Sequence, residues 1–256
     1  MTPAEKLLTV ALAEVGYLEK ASNRDLDSKT ANAGTKNFTK YARDLDEIGT
    51  IFNGKKQGYA WCAVYAIWCF VRAFGVDTAM RMLNIPKKSS AAGVGSLAGY
   101  LKSAGRFKTA NPEPGDLIFF YAANLSSWAH VGLVERVEGG RVYTVEGNTS
   151  AASGVISNGG GVARKSYTIN YNRIAGYGRP DWSLAPGEED DDMTGEEIIR
   201  KVQDYLSTQP VPDWAKLEMQ EAVKLGITDG SDPMLLIPRY QAAIMAKRAM
   251  KAAMSK

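Results

Sequence analysis

The chain has 256 residues, of which 45% are hydrophobic and 23% are charged, and its formal net charge is +3. This length accommodates one sizeable core and a small second module, and no apolar run approaches the ~20 residues of a membrane helix, which argues against membrane insertion. The charge is uneven, because residues 1–183 contain 22 Lys and Arg against 15 Asp and Glu, whereas residues 184–256 contain 9 against 13. A basic N-terminal region attracts polyanions, and teichoic acid, nucleic acid and anionic lipid all qualify.

Helices are predicted before strands along the chain. Apolar residues at helical spacing predict four helices, over residues 3–18, 36–45, 61–74 and 90–104. Pro3 suits a first helical turn, and Gly75 is placed to end the third helix. After Pro114-Gly115 the pattern changes to strands, predicted over residues 117–121, 131–137, 141–146, 161–169 and 173–178. Helices followed by an antiparallel sheet indicate an α+β fold.

The C-terminal part of the chain differs in composition. Residues 184–193 contain Pro186-Gly187 and five acidic residues, which break regular structure and extend the chain by repulsion. Thr194 and Glu197 form a capping box, and three helices are predicted over residues 195–207, 213–225 and 241–254. The sequence therefore predicts a domain at residues 1–183, an acidic linker at 184–193 and a small helical module at 194–256.

The chain contains two cysteines and one histidine. Cys62 and Cys69 are seven residues apart, which on a helix is about 10 Å and exceeds the ~7 Å that a disulfide spans. We therefore expect two free thiols, and so few ligands argue against a structural zinc site. Cys62 begins the predicted helix, where unpaired N–H groups and the helix dipole favour a thiolate and can hold an oxyanion. Cys69 has apolar neighbours in mid-helix and is expected in the core.

A mechanism that uses a histidine must use His130. This residue begins an apolar strand, from which a side chain can face a cleft, although a lone histidine is more often structural. A Cys/His pair needs a third group to orient the imidazole, and either Glu146 or Asn148 can supply it. Because side chains alternate along a strand, Glu146 and Asn148 are expected on one face.

The turn between the two strands decides whether these groups meet. A two-residue turn at Gly139-Gly140 would put His130 on the face opposite Glu146. A three-residue loop over residues 138–140, a common hairpin type, would put both on one face. The catalytic hypothesis therefore predicts the three-residue loop, unless a bulge intervenes.

Four segments carry the chemistry in chain order: Gly58-Tyr59-Ala60-Trp61-Cys62-Ala63, Pro114-Gly115-Asp116-Leu117-Ile118-Phe119-Phe120, His130-Val131-Gly132-Leu133-Val134 and Val145-Glu146-Gly147-Asn148-Thr149. Together they resemble the CHAP family, the cysteine, histidine-dependent amidohydrolases and peptidases of bacteria and their phages. The resemblance covers roughly residues 4–183. Many relatives have Asp after the cysteine, whereas this chain has Ala63, and we assign that position no role.

The resemblance implies a papain-like domain that acts on peptidoglycan. Cys62 and His130 match the catalytic pair, Glu146 matches the usual third residue and Asn148 a frequent fourth. The implied reaction is hydrolysis of a wall amide bond, by an N-acetylmuramoyl-L-alanine amidase or a peptidoglycan endopeptidase, with no required cofactor. The alternative is a catalytically silent wall-binding protein. Nucleic-acid binding is not expected, since no basic-aromatic motif supports it.

The N-terminus lacks the apolar stretch of a signal peptide, because Glu14 and Glu19 interrupt it. We therefore expect a phage or prophage endolysin, which stays in the host bacterial cytoplasm until a holin pore releases it and then acts at the cell wall.

Two further groups of residues are weaker site candidates. An oxygen-rich loop contains Asn23, Asp25, Asp27 and Asn32, and some CHAP enzymes bind calcium. The loop lacks the glycine and bidentate glutamate of an EF-hand, so a plain polar loop is favoured over a calcium site. Three aromatic residues can line a substrate groove or pack in the core, namely Trp61, Tyr121 and Trp128.

Segments of the tail resemble one S-layer-homology repeat: Pro212-Asp213-Trp214-Ala215, residues 221–230 and residues 237–243. Pro238 stands where the family has Thr, and one repeat is present where such modules often have three. The resemblance implies binding to secondary cell-wall polymers. An accessory helical or oligomerisation module is the alternative.

Overall fold

The computed structural model describes residues 1–186 and 195–227, together with Ala246, Lys247 and Met250. The chain divides into two compact units, Met1–Pro186 and Gly187–Lys256. Within the described residues, no helix is long and apolar enough to span a membrane.

Five α-helices belong to the first unit: α1 (Pro3–Ala13), α2 (Lys40–Ile48), α3 (Cys62–Phe74), α4 (Val76–Met82) and α5 (Val94–Ser103). Helix α1 ends earlier than predicted, because Gly16 adopts a φ of 89° and the backbone at Tyr17 and Leu18 then pairs with Gly161 and Val162. In α1, tertiary pairing thus overrides a helical pattern that continues in the sequence to Leu18. Helix α4 was not predicted.

Six antiparallel strands form one sheet in the order β1-β6-β2-β3-β4-β5. They are β1 (Phe107–Lys108), β2 (Leu117–Tyr121), β3 (Trp128–Glu138), β4 (Arg141–Thr149), β5 (Gly161–Thr168) and β6 (Ile174–Gly178). The five predicted strands are confirmed, and β3 and β4 are longer than predicted. The short β1 escaped prediction because two residues have no detectable period.

Helix α3 is the centre of the main core. It packs against α1, α2 and α4 and against strands β3 and β4, and nearly all of its residues are buried. A smaller apolar cluster lies apart from this core and contains Ile118, Phe120, Val134, Val142, Val155, Tyr167 and Tyr177. The first unit is thus a mixed helix and antiparallel-sheet fold, in agreement with the α+β prediction, and apolar residues of β2, β3 and β4 contribute to both clusters.

The second unit contains α6 (Gly195–Ser207), a 3₁₀ turn (Asp213–Ala215) and α7 (Lys216–Lys224). These elements agree with the first two helices predicted for the tail. The other predictions for the tail fall largely outside the described residues. They are most of the acidic linker, Thr194 of the capping box, the motif residues 228–243 and the helix over residues 241–254. The three-helix module therefore stays a prediction.

Candidate active site

Helix α3 places Cys62 at its first residue. The preceding Trp61 is fully buried, and its Nε1–H donates to Glu19 Oε2 at 2.9 Å. Trp61 gives the helix no side-chain cap, so the N–H groups of the first turn keep their positive field beside the Cys62 sulfur. Only 4% of Cys62 is exposed. Both cysteines are free thiols, as predicted.

Strand β3 carries His130, which is fully buried. Its Nε2–H donates to Glu146 Oε2 at 2.9 Å. Its Nδ1 has no hydrogen-bond partner among the described residues. Cys62 nevertheless interacts with the ring and, like Glu146, raises its pKa. The structure therefore brings His130 together with both Cys62 and Glu146.

The pKa of His130 reflects opposing influences. Burial is the largest and lowers the pKa, whereas interactions with Cys62 and then Glu146 raise it, and the result is a pKa of about 9 against an ordinary 6.5. The ring is therefore protonated at neutral pH. An imidazolium beside a sulfur stabilises that sulfur as a thiolate and is ready to give a proton to a leaving group.

Three donors surround the buried Glu146 carboxylate. Besides His130, Thr144 Oγ1–H donates to Oε1 at 2.5 Å and Tyr167 O–H donates to Oε2 at 3.2 Å. Burial, followed by the charge of Glu146, raises the pKa of Tyr167 far above its ordinary value, so this hydroxyl remains a donor. Both hydroxyl groups were missed at the sequence level. Strand alternation could have identified Thr144, which lies two residues before Glu146 and so on the same face of β4. Tyr167 reaches the carboxylate only because β5 pairs with β4, which no local pattern indicates.

The β3–β4 hairpin corrects the predicted three-residue loop. Glu138 pairs with Arg141, so the turn has two residues, Gly139 and Gly140, with φ of 58° and 73°. This conformation suits a hairpin turn that glycine adopts readily. The register then shifts by one residue between Val134 and Arg136, and Leu133 lies opposite Val145. The two-residue turn alone would place His130 and Glu146 on opposite faces of the sheet. The β-bulge reverses this, so the two side chains share one face.

Two glycines allow the close approaches that the site needs. A Cβ on Gly132 would lie 2.5 Å from Glu146 Cγ, and a Cβ on Gly147 would lie 2.6 Å from Tyr65 Cβ on helix α3. Such distances are too short for any larger residue without displacement of its neighbour. Gly132 therefore makes room for the glutamate, and Gly147 lets the helix that carries Cys62 pack against β4.

Asn148 departs from the expected strand alternation. Its φ is 53°, and the pairing of β4 with β5 shifts between Glu146 and Thr149. Its Oδ1 accepts from the Gly160 N–H at 3.4 Å, and its Nδ2 has no hydrogen-bond partner among the described residues. The structure thus ties Asn148 to the loop before β5 and gives it no hydrogen bond to His130.

The oxygen-rich loop is held together by groups of the chain itself. Both Asp27 oxygens accept from Arg43, at 2.7 and 2.8 Å. The Asn32 amide donates to Ser22 Oγ at 2.9 Å, and Asp25 adopts a φ of 56°. Among the residues that the structure describes, no group of three His, Cys, Asp or Glu side chains could hold a metal ion. The plain polar loop, which the sequence favours over a calcium site, stays a prediction.

The three aromatic candidates separate into two kinds. Trp61 belongs to the core, where it also contacts the rings of Tyr17 and Tyr41. Tyr121 on β2 and Trp128 on β3 are half-buried, with ring centroids 5.2 Å apart. Trp128 also packs against the main core. A role of this pair in a substrate groove stays a prediction.

Comparisons with known proteins come from families and from solved structures. Residues 54–148 match the family model described as CHAP domain, and no curated protein matches the chain. One similar solved structure, the crystal structure of Ly7917, is 14% identical over 71% of this chain and 63% of that chain, with a TM-score of 0.36. The chain thus spans less than two thirds of that structure, and so distant a likeness carries no argument. A CHAP domain is therefore found at residues 54–148, and it contains Cys62, His130 and Glu146.

Proposed function

We propose that this protein is a peptidoglycan hydrolase that cuts an amide bond of the bacterial cell wall by cysteine-dependent catalysis. One observation carries the proposal: the buried imidazole of His130 donates to Glu146 at 2.9 Å and interacts with the Cys62 thiol at the start of a helix. The CHAP match over residues 54–148 supports the choice of substrate, because this family is associated with wall amidases and peptidases.

The proposed reaction has two steps. The Cys62 thiolate attacks the amide carbonyl carbon, and N–H groups at the start of α3 hold the oxyanion. The C–N bond then breaks, and protonated His130 gives its proton to the departing amine, which leaves a thioester on Cys62. Water, deprotonated by the now neutral His130, attacks the thioester, and cleavage of the C–S bond releases the carboxylic acid and restores the Cys62 thiolate beside protonated His130. Glu146 holds the ring and stabilises its charge in both steps.

Wall digestion with matched variants tests the proposal. The full chain should clear a suspension of purified walls, Cys62→Ala should not, and Cys69→Ala should clear at nearly the parental rate. Mass spectrometry of the soluble products then identifies the bond, since an amidase frees the lactyl carboxylate of muramic acid and an endopeptidase frees peptide termini. Equal clearing by Cys62→Ala and the parent would refute the assignment. Walls bound but never cleared would favour the silent wall-binding alternative.

The finer proposals concern context and the second unit. The protein is proposed to be an endolysin that a holin releases from the host cytoplasm. Its second unit is proposed to bind wall polymers, in support of which Trp214 and Leu217 are 79% and 74% exposed. Trp214→Ala in the full chain should weaken wall binding while thermal unfolding of the first unit stays unchanged. Unaltered binding would favour the accessory-module alternative.

A further inference from the structure

A groove of about 620 Å³ lies beside the turn of the β3–β4 hairpin, and we call it the hairpin groove. Four basic side chains line it, and they come from three adjacent strands: Arg136, Arg141, Arg164 and Lys165. Glu135 is the one acidic residue of its lining. At about 3.3 Å per strand residue, Arg136 lies roughly 20 Å from His130 along β3. The Arg136 end of the hairpin groove is therefore distant from His130. Its other end approaches Glu146, because Gly154 O accepts from the Tyr167 hydroxyl at 3.4 Å and the charge of Glu146 acts on Lys165.

Carboxylates neutralise only part of this charge. Glu135 is shared by two guanidinium groups, since Oε1 accepts from Arg136 at 2.9 Å and Oε2 accepts from Arg164 at 2.9 Å. Arg141 donates to Ser166 Oγ at 2.8 Å and to Ser166 O at 3.2 Å. In the part of the chain that the structure describes, Arg141 forms no ion pair with a carboxylate. The hairpin groove therefore carries a net positive charge, and among the described residues the Arg141 guanidinium has no carboxylate partner.

The basic groups are held in place before any ligand arrives. The guanidinium of Arg136 lies over the Tyr143 ring, 3.6 Å from its centroid. Arg141 is fixed by Ser166, which pairs with Tyr143 across the strands. Lys165 Nζ donates to Ser150 O at 3.0 Å and to Ala152 O, which holds the loop that forms another wall of the groove. Planar guanidinium groups on rigid strands suit bidentate binding of phosphate.

We infer that the hairpin groove binds a phosphodiester-linked polymer of the cell wall. Planar guanidinium groups bind phosphate and carboxylate in the same bidentate way, and a phosphodiester polymer presents a phosphate at every linkage. Nucleic acid is disfavoured because single-stranded bases need an open aromatic face, and Tyr143, the one aromatic residue that lines the groove, is covered by Arg136. The choice of a wall polymer rests on the proposed function, and binding there would hold the wall against the domain that carries the candidate active site.

Binding to two preparations of one wall tests the inference. All proteins are full-length and carry Cys62→Ala, so that the walls stay intact. The test variant is Arg136→Gln/Arg141→Gln, and the matched control is Arg81→Gln/Lys87→Gln, which removes equal charge from exposed positions elsewhere. On walls with phosphodiester polymers, the test variant should bind at least about fivefold more weakly than the control and with less dependence on salt. On walls stripped by hydrofluoric acid, the two variants should bind equally.

Each remaining outcome overturns the inference. Equal binding by both variants to unstripped walls means that the groove binds nothing there. A difference that persists on stripped walls means that the ligand is not the phosphodiester polymer. Selective loss of binding to oligonucleotides or to anionic lipid vesicles, with wall binding intact, assigns the groove to those ligands instead. Thermal melting of every variant confirms the fold, and clearing of stripped walls by the chain with Cys62 intact tests the proposed function separately.

Discussion

The first turn and the middle of helix α3 hold the same side chain in different surroundings. Cys62 begins the helix beside His130, which Glu146 holds, whereas Cys69 lies two turns later in the apolar core. Burial raises the pKa of the Cys69 thiol far above its ordinary value. Two thiols on one helix, both buried, therefore differ in the charges that face them.

This difference shows that the partner group, more than exposure, separates a candidate nucleophile from a core residue. Cys62 is 4% exposed and Cys69 is 0% exposed, so accessibility alone hardly distinguishes them. The helix dipole acts within the first turn and is weak at Cys69. Variants at Cys62, at Cys69 and at the groups around them test this contrast.

The largest expected effect comes from removal of the Cys62 sulfur. Cys62→Ala should lower the rate of wall clearing by at least about 10⁴-fold, because no other group can form the thioester. Cys69→Ala should keep the activity and lower the free energy of unfolding by about 1 kcal/mol through a small cavity. Iodoacetamide should label Cys62 and spare Cys69, as read by peptide mass spectrometry. Preferential labelling of Cys69 would reverse the comparison.

Glu146→Gln should have the second largest effect. The substitution keeps the shape but removes the charge that faces the His130 imidazolium, so we expect the rate to fall by about 10²-fold. The rate of clearing at saturating wall concentration measures this, with Glu47→Gln as a control at an exposed position on α2. If Glu146→Gln were as active as the parent, His130 would need no charged third group for catalysis.

The pKa of His130 reports directly on its interaction with Cys62. Burial lowers its pKa, but Cys62 and Glu146 raise it, to about 9 from 6.5. Since the folded-state pKa is the higher one, the stabilisation is complete below pH 6.5 and is lost as the pH rises through about 9. The free energy of unfolding should fall by up to about 3 kcal/mol across this window.

NMR provides the measurement, because the chain has one histidine and its ring gives a single set of signals. Cys62→Ala should lower the pKa of His130, since it removes the larger of the two raising influences. Urea unfolding at pH 6.5 and pH 9 gives the change in stability. A parental ring that titrates at or below pH 6.5 would show that the pair with Cys62 does not form.

Tyr167→Phe should have the smallest effect. It removes one of three donors to Glu146 and leaves His130 and Thr144 in place. A hydrogen bond of about 1 kcal/mol corresponds to a loss of about fivefold in rate. Tyr171→Phe is the matched control, since its ring lies 5.4 Å from that of Tyr167 without contacting the carboxylate. Equal rates for the two variants would show that the Tyr167 hydroxyl does not contribute to catalysis.

Local patterns predicted much of the fold and part of the site. The strands, helix α3 and the start of that helix at Cys62 follow from periodicity and from turn residues, which act over a few neighbouring positions. Helix α1 was predicted too long because its last turn gives way to pairing at Gly161 and Val162, more than 140 residues away. No local signal reports such pairing, and the same reason hid Tyr167.

The amino-acid sequence shows that His130 is the single histidine, and its local patterns place Cys62 at the start of an apolar helix and Glu146 on a strand. Whether these residues meet depends on the packing of the sheet. The hairpin has a two-residue turn, which alone would separate His130 from Glu146, and a bulge between Val134 and Arg136 brings them back to one face. A bulge arises from twist and packing across the whole sheet, whereas a turn residue acts only on its own backbone, so only the folded chain could decide the register.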